Sequence, residues 1–181
     1  MEFVILGLLA LQAMTVYEIN KALENSISLF YSASFGSINA AIGRMLEKGW
    51  ISGEEKVESG RNKKIFHLTS AGREAFQNWL GSEIEAEKVK DPALTRLFFM
   101  GMLPIEQRIS VLERHIETLQ QTCVTLQAIQ EQANCIELPQ DLNEVYACQM
   151  LTLQYGLDFY RFNIQWYQDL LDELRKKNPA K

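Results

Sequence analysis

Between residues 105 and 133 the chain contains no glycine and no proline. Along that stretch Ile105, Ile109, Leu112, Ile116, Leu119, Cys123 and Leu126 follow one another at steps of four and three. The same rhythm returns at Tyr146, Met150, Leu153, Leu157, Tyr160, Ile164, Tyr167, Leu171 and Leu174. Only an α-helix brings such positions onto one side, and the alternation is that of a heptad seam. The breaker-rich "ELPQD" at Glu137–Asp141 separates the two runs. The second half is therefore expected to hold two long antiparallel helices, each burying a face on the other. The last helix carries further apolar residues off its seam: Leu142, Val145, Phe159, Phe162, Trp166 and Leu170. One partner helix cannot cover them all, which predicts a second subunit. The expected dimer contacts are Met150, Leu153, Leu157, Tyr160, Ile164, Tyr167 and Leu171.

The first half is written in shorter units. Residues 2–12 are almost wholly apolar and read as a buried helix. Thr15 precedes "VYEINKALENSI" with Glu18 three residues on, the spacing of a capping box. Val16, Ile19, Ala22 and Leu23 give that helix its apolar face. Ser34 opens a third helix, "SFGSINAAIGRMLEKGW", which stops at Gly49. Its apolar face is Ile38, Ala41, Ile42, Met45 and Leu46. Then the period changes. Trp50–Glu55 and Lys63–Leu68 read as strands joined by the turn residues "ESGRN". Thr69 caps a further helix, "SAGREAFQNWLGSEIE", with Ala71, Ala75, Phe76, Trp79 and Leu80 on one side. Asp91-Pro92 breaks the chain, and "ALTRLFFMGML" forms a short apolar helix ending near Pro104.

This order predicts a mostly α protein. Residues 1–90 form a winged helix-turn-helix with a two-stranded β wing. Residues 91–181 form a helical, coiled-coil-like dimerisation domain. The third helix then faces a major groove, which is wide enough to admit one helix. Ser34, Ser37, Asn39 and Arg44 are the expected contacts there, and Lys48 lies on the same polar face. The wing tip adds Arg61, Lys63 and Lys64. The net charge of −5 does not argue against a polyanion. Residues 1–81 are neutral, residues 34–64 carry +2, and the acid lies in the second half. The local patch decides.

Other function classes fit poorly. There are 2 histidines and 3 cysteines, none at a metal-ligand or catalytic spacing. No Gly-rich phosphate loop is present. The expectation is therefore no enzyme, no cofactor and no metal. "MEFVILGLLALQ" has Glu2 in place of a basic n-region, so it does not read as a signal peptide. No apolar run reaches a membrane span, and a cytoplasmic protein without a membrane partner is expected. Trp79, Phe98, Phe99 and Trp166 are candidates to line a pocket for a small aromatic effector. The competing reading is a winged-helix adaptor that binds protein and never DNA.

The segments "ILGLLA" (Ile5–Ala10), "YEINKAL" (Tyr17–Leu23), "SFGSINAAIGRMLEKGWI" (Ser34–Ile51) and "IFHLTSAGREAFQNWL" (Ile65–Leu80) together resemble the PadR family of transcriptional regulators. The tail resembles its longer-tailed branch, which includes virulence activators. The resemblance implies a winged helix followed by a dimerising tail, and a homodimer on a palindromic double-stranded DNA operator. It implies that members often repress and that some release DNA on binding phenolic compounds. It places Tyr17 and Lys21 on backbone phosphates. Two features depart from the family pattern. Val16 stands where a glycine is usual, and Phe35, Asn39 and Ala40 stand within a motif that commonly reads Y-G-S-I-Y-P.

Overall fold

The computed structural model describes residues 1–25, 34–58, 61–84, 91–135, 139 and 142–177. The chain divides into two compact units, Met1–Glu87 and Lys88–Lys181.

The first unit runs α1 (Glu2–Leu11), β1 (Met14–Thr15), α2 (Val16–Asn25), α3 (Phe35–Glu47), β2 (Ile51–Glu58), β3 (Arg61–Leu68) and α4 (Ser70–Leu80). Its core gathers Ile5, Leu6 and Leu9 of α1, Ile19 and Leu23 of α2, and Ile38, Ala41, Ile42 and Met45 of α3. Ile51 and Phe66 close it from the strands. The Thr15–Glu18 capping box forms: the Thr15 amide donates to Glu18 Oε2 at 2.7 Å, and the Glu18 amide donates to Thr15 Oγ1 at 3.3 Å. α3 ends where Gly49 adopts φ 67°, a conformation that costs a Cβ-bearing residue energy.

The sheet has three strands, not the expected two, in the order β1-β3-β2 and antiparallel throughout. β1 contributes two residues, Met14 opposite Phe66 and Thr15 opposite Ile65. Two residues carry no periodicity, so this strand is invisible in a single sequence. The hairpin is longer than expected. Glu58 pairs with Arg61 and Val57 with Asn62, so three residues of the expected turn lie in strands. Ser59 and Gly60 lie outside the described residues, as do Ser26 and Ile27 at the end of the second predicted helix.

Thr69 ties α4 to the base of the hairpin. Its hydroxyl donates to the Gly49 carbonyl at 2.7 Å and accepts from the Gly72 amide at 3.1 Å. A Cβ on Gly72 would stand 2.0 Å from the Trp50 carbonyl oxygen, so only glycine lets α4 come this close. α4 stops at Leu80, with Gly81 capping it, short of the expected run to Glu85, which itself lies outside the described residues.

The second unit runs α5 (Pro92–Phe99), a 3₁₀ turn (Met100–Met102), α6 (Ile105–Ala133) and α7 (Asn143–Lys177). Asp91 caps α5, its Oδ1 accepting from the Ala93 and Leu94 amides at 2.8 and 2.9 Å. Arg108 pins the bend into α6 by donating to the Gly101 and Leu103 carbonyls. α6 and α7 are antiparallel. Arg175 meets Glu113 near one end, Gln130 donates to Gln154 further along, and Tyr146 donates to the Ala133 carbonyl at the other end. On α6 the seam positions Leu112, Ile116, Leu119, Cys123 and Leu126 are buried.

The α7 seam packs on α6, as expected of two antiparallel heptad helices. Leu153, Leu157, Tyr167 and Leu171 are buried, and Met150, Tyr160 and Ile164 are half-buried. Tyr160, Ile164, Tyr167 and Leu171 pack with Leu112, Ile116 and Leu119 of α6 in the same chain. Four of the seven residues expected at a subunit contact thus meet their own chain's helix, because two equal heptad seams cover each other. Left uncovered on α7, besides Val145 in its first turn, are Leu151, Tyr155, Phe159, Phe162 and Trp166, between 41% and 71% exposed. At ~100° per residue their stripe is centred about 160° from the seam. α7 therefore has two apolar faces on opposite sides.

Candidate nucleic-acid interface

α3 is built to show one face. Its starting turn is closed by a serine pair. The Ser37 amide donates to Ser34 Oγ at 3.2 Å, and the Ser34 amide donates to Ser37 Oγ at 3.0 Å. Ser37 Oγ also donates to the Ser34 carbonyl at 2.7 Å. Two of the expected contact residues are therefore engaged in capping. The exposed positions beyond them are Phe35, Gly36, Asn39, Ala40, Arg44 and Glu47. Asn39 Nδ2 donates to the Phe35 carbonyl at 2.9 Å, which fixes the amide and presents its oxygen away from that bond. Phe35 is 56% exposed at the head of the helix. Sequence reading treated Phe35 only as a departure from a motif, yet its ring is the largest apolar group on this face.

Arg44 was expected to reach base edges. Its Nε instead donates to Glu2 Oε1 at 2.6 Å, and Lys48 Nζ reaches Glu2 Oε2 at 2.7 Å. The two hydrogen bonds hold the Glu2 carboxyl below the usual glutamate range. Lys48 Nζ also lies 4.3 Å from the centre of the Trp50 ring. Glu2 was missed because it is 42 positions from Arg44. The available signal was a lone acid in an apolar first helix, with two cations four apart on the third.

On α2, Tyr17 and Lys21 are exposed while Ile19 and Leu23 face the core. On the hairpin, Asn62, Lys63 and Lys64 are exposed. Lys63 sits opposite Lys56 across the strand pair, so the wing carries cations on both strands. Arg61 begins β3; its side chain lies outside the described residues.

Residues 5–78 match the Transcriptional regulator PadR-like family, and residues 89–175 match the Virulence activator alpha C-term family. The chain thus joins a PadR-like region at residues 5–78 to a virulence-activator-like tail at residues 89–175. It is similar along nearly its whole length to the Negative transcriptional regulator PadR of Bacillus subtilis, at 21% identity over 178 residues, covering 97% of this chain and 98% of that one. A crystal structure of Bacillus subtilis PadR in complex with operator DNA superimposes with a TM-score of 0.83 at 20% identity, covering 96% of this chain and 98% of that chain. The same protein in complex with p-coumaric acid gives 0.78 at 20% identity, covering 96% and 94%. The Vibrio cholerae virulence activator AphA gives 0.74 at 24% identity, covering 97% and 98%. The chain thus shares its winged-helix fold and helical tail with these proteins.

The aromatic residues expected around an effector have partners within their own units. In the first unit Trp79 stacks on Phe3 with ring centres 5.0 Å apart and planes 2° apart, and it also neighbours Phe76. In the second, Phe98 meets Phe99 edge to face at 4.9 Å, and Trp166 meets Tyr167 at 5.0 Å. A cavity of about 290 Å³ opens in the second unit. It is lined by Leu97, Met100 and Leu112 together with Arg96, Arg114, His115 and Tyr167, among others. Phe98, Phe99 and Trp166 are not among its lining residues. Burial pushes the Tyr167 phenol up, with Asp91 adding to the shift, so this hydroxyl stays protonated. Arg96 lies on α5 and Arg114 on α6, so no local sequence pattern pairs them.

Proposed function

We propose that this PadR-like chain is a homodimeric repressor. It grips palindromic operator DNA through α3 and the β2–β3 wing and releases it on binding an aromatic ligand. The observation that carries the DNA reading is the division of α3. One side supplies four core residues, and the other leaves Phe35, Asn39 and Ala40 in water on a capped, rigid helix. An exposed aromatic ring and a fixed amide suit a major groove, where thymine methyls and adenine edges are read. The lysines of the wing suit phosphates. The operator complex of Bacillus subtilis PadR supports carrying this over to a chain of the same fold.

The dimer is proposed on the outer stripe of α7, not on its seam. Two recognition helices must meet half-sites about one DNA turn apart. α7 has 35 residues, roughly 52 Å of helix, which is enough to set such a spacing. The ligand is proposed in the second-unit cavity, where apolar walls take a ring and Arg96, Arg114 and His115 take a carboxylate. Selection of bound sequences from a random duplex pool tests the DNA reading. A palindromic consensus is expected. Lys63→Ala with Lys64→Ala should weaken all sequences alike and lower the salt slope by about 2. A pool that never enriches, with no retention on random DNA at low salt, favours the adaptor reading.

A further inference from the structure

The carboxylate of Glu2 holds two cations of the recognition helix at once, one oxygen for each. Arg44 and Lys48 lie four apart, so α3 brings both to the same side. Glu2 lies in the first turn of α1, where the helix dipole favours negative charge. Its side chain is only 16% exposed, while those of Arg44 and Lys48 are 51% and 46% exposed. The anion is enclosed and the cations face water. A phosphate approaching this end of α3 therefore meets two cations that already share one counter-charge.

We propose that Glu2 is a built-in counterion that keeps Arg44 and Lys48 off the phosphates of random DNA, and so sets how well the protein discriminates its operator. This rests on the DNA-binding reading above. The physical basis is competition. Non-specific affinity comes from cations that displace counterions from phosphates, each contributing about 0.9 to the logarithmic salt slope on duplex DNA. A cation satisfied by a carboxylate at 2.6–2.7 Å gains little by exchanging it for a phosphate. With both cations held, this end of α3 adds little to non-specific binding. The burden of affinity then falls on the capped head of α3, where base edges can be read.

The test uses the full chain and two duplexes, one random and one carrying the selected operator, titrated between 50 and 200 mM salt. Glu2→Gln keeps the shape and removes the charge. It should raise affinity for random DNA and steepen its salt slope by about 2, so the loss over that fourfold salt range deepens by about tenfold. Operator affinity should rise less, narrowing the ratio between the two. Arg44→Gln with Lys48→Gln should leave the random-DNA slope almost unchanged in the parent, yet abolish the steepening when added to Glu2→Gln. That double variant decides the matter even if Glu2→Gln fails to fold, because a slope falling by about 2 in the parent means the cations were never held. A steepening that survives loss of both cations, or none at all in a folded Glu2→Gln protein, overturns the counterion role while leaving operator binding intact. A parent protein that ignores DNA at low salt removes the operator reading and the counterion with it.

Discussion

Glu2 also shows how a single residue links folding to acidity. Its carboxyl is held below the ordinary range by hydrogen bonds first from Arg44 and then from Lys48. A depressed folded-state value means the stabilisation is complete above the unfolded glutamate value and disappears as pH falls through the folded one. Because the cations are about half exposed, the contribution is modest and is screened by salt. Thermal melts of the parent and Glu2→Gln should differ above about pH 5 and converge in strong acid. Curves that stay separated by the same margin down to pH 2 would mean the pair does not couple to folding. Gly72 and Thr69 mark a second kind of residue-scale constraint. The glycine is required by a backbone approach that no local pattern announces. Thr69, by contrast, was readable as a cap, because capping is a matter of neighbours in sequence.

At the scale of elements, legibility followed periodicity. The seams of α6 and α7 were readable position by position, since a heptad names the buried face directly. What the pattern could not say was whether a second copy would share that face. A seam is equally satisfied by its own chain or by a second copy, and here α6 takes it. β1 was unreadable for the opposite reason, being too short to have a period at all. The two faces of α7 now make separable predictions. Phe159→Asp with Phe162→Asp alters only the outer stripe. It should give a folded monomer in sedimentation, with operator affinity reduced although no DNA-facing residue has changed. Leu157→Asp buries an unpaired charge against α6 and should cost about 3–5 kcal/mol, melting the helical unit itself. A folded, fully dimeric Phe159→Asp/Phe162→Asp protein would place the subunit contact elsewhere.

At the scale of the whole molecule, the residues proposed to read DNA lie in one unit and the cavity proposed for a ligand lies in the other. A ligand can release DNA only through its different affinity for the DNA-competent and DNA-free arrangements. The two arginines and the histidine around the cavity favour a planar aromatic acid over its neutral amide. Charge-assisted hydrogen bonds are worth about 1.5–3 kcal/mol, so the amide should bind at least about tenfold more weakly. Titration of p-coumaric acid and its amide, following tryptophan fluorescence and operator release together, checks this. Binding and release should rise with the same midpoint, and Arg96→Ala with Arg114→Ala should remove both. Quenching without release would mean a crevice that binds rings but governs nothing.

The opposed faces of α7 carry a consequence for gene dosage. The inner face is covered within a single chain, so the seam residues need no twin to leave water. If copies pair through the outer stripe, as proposed above, and single chains predominate, the paired form grows with the square of abundance. Halving synthesis then lowers the operator-competent species about fourfold. A cell could set a sharp threshold on the target promoter through the rate of making this protein, before any small molecule enters the circuit.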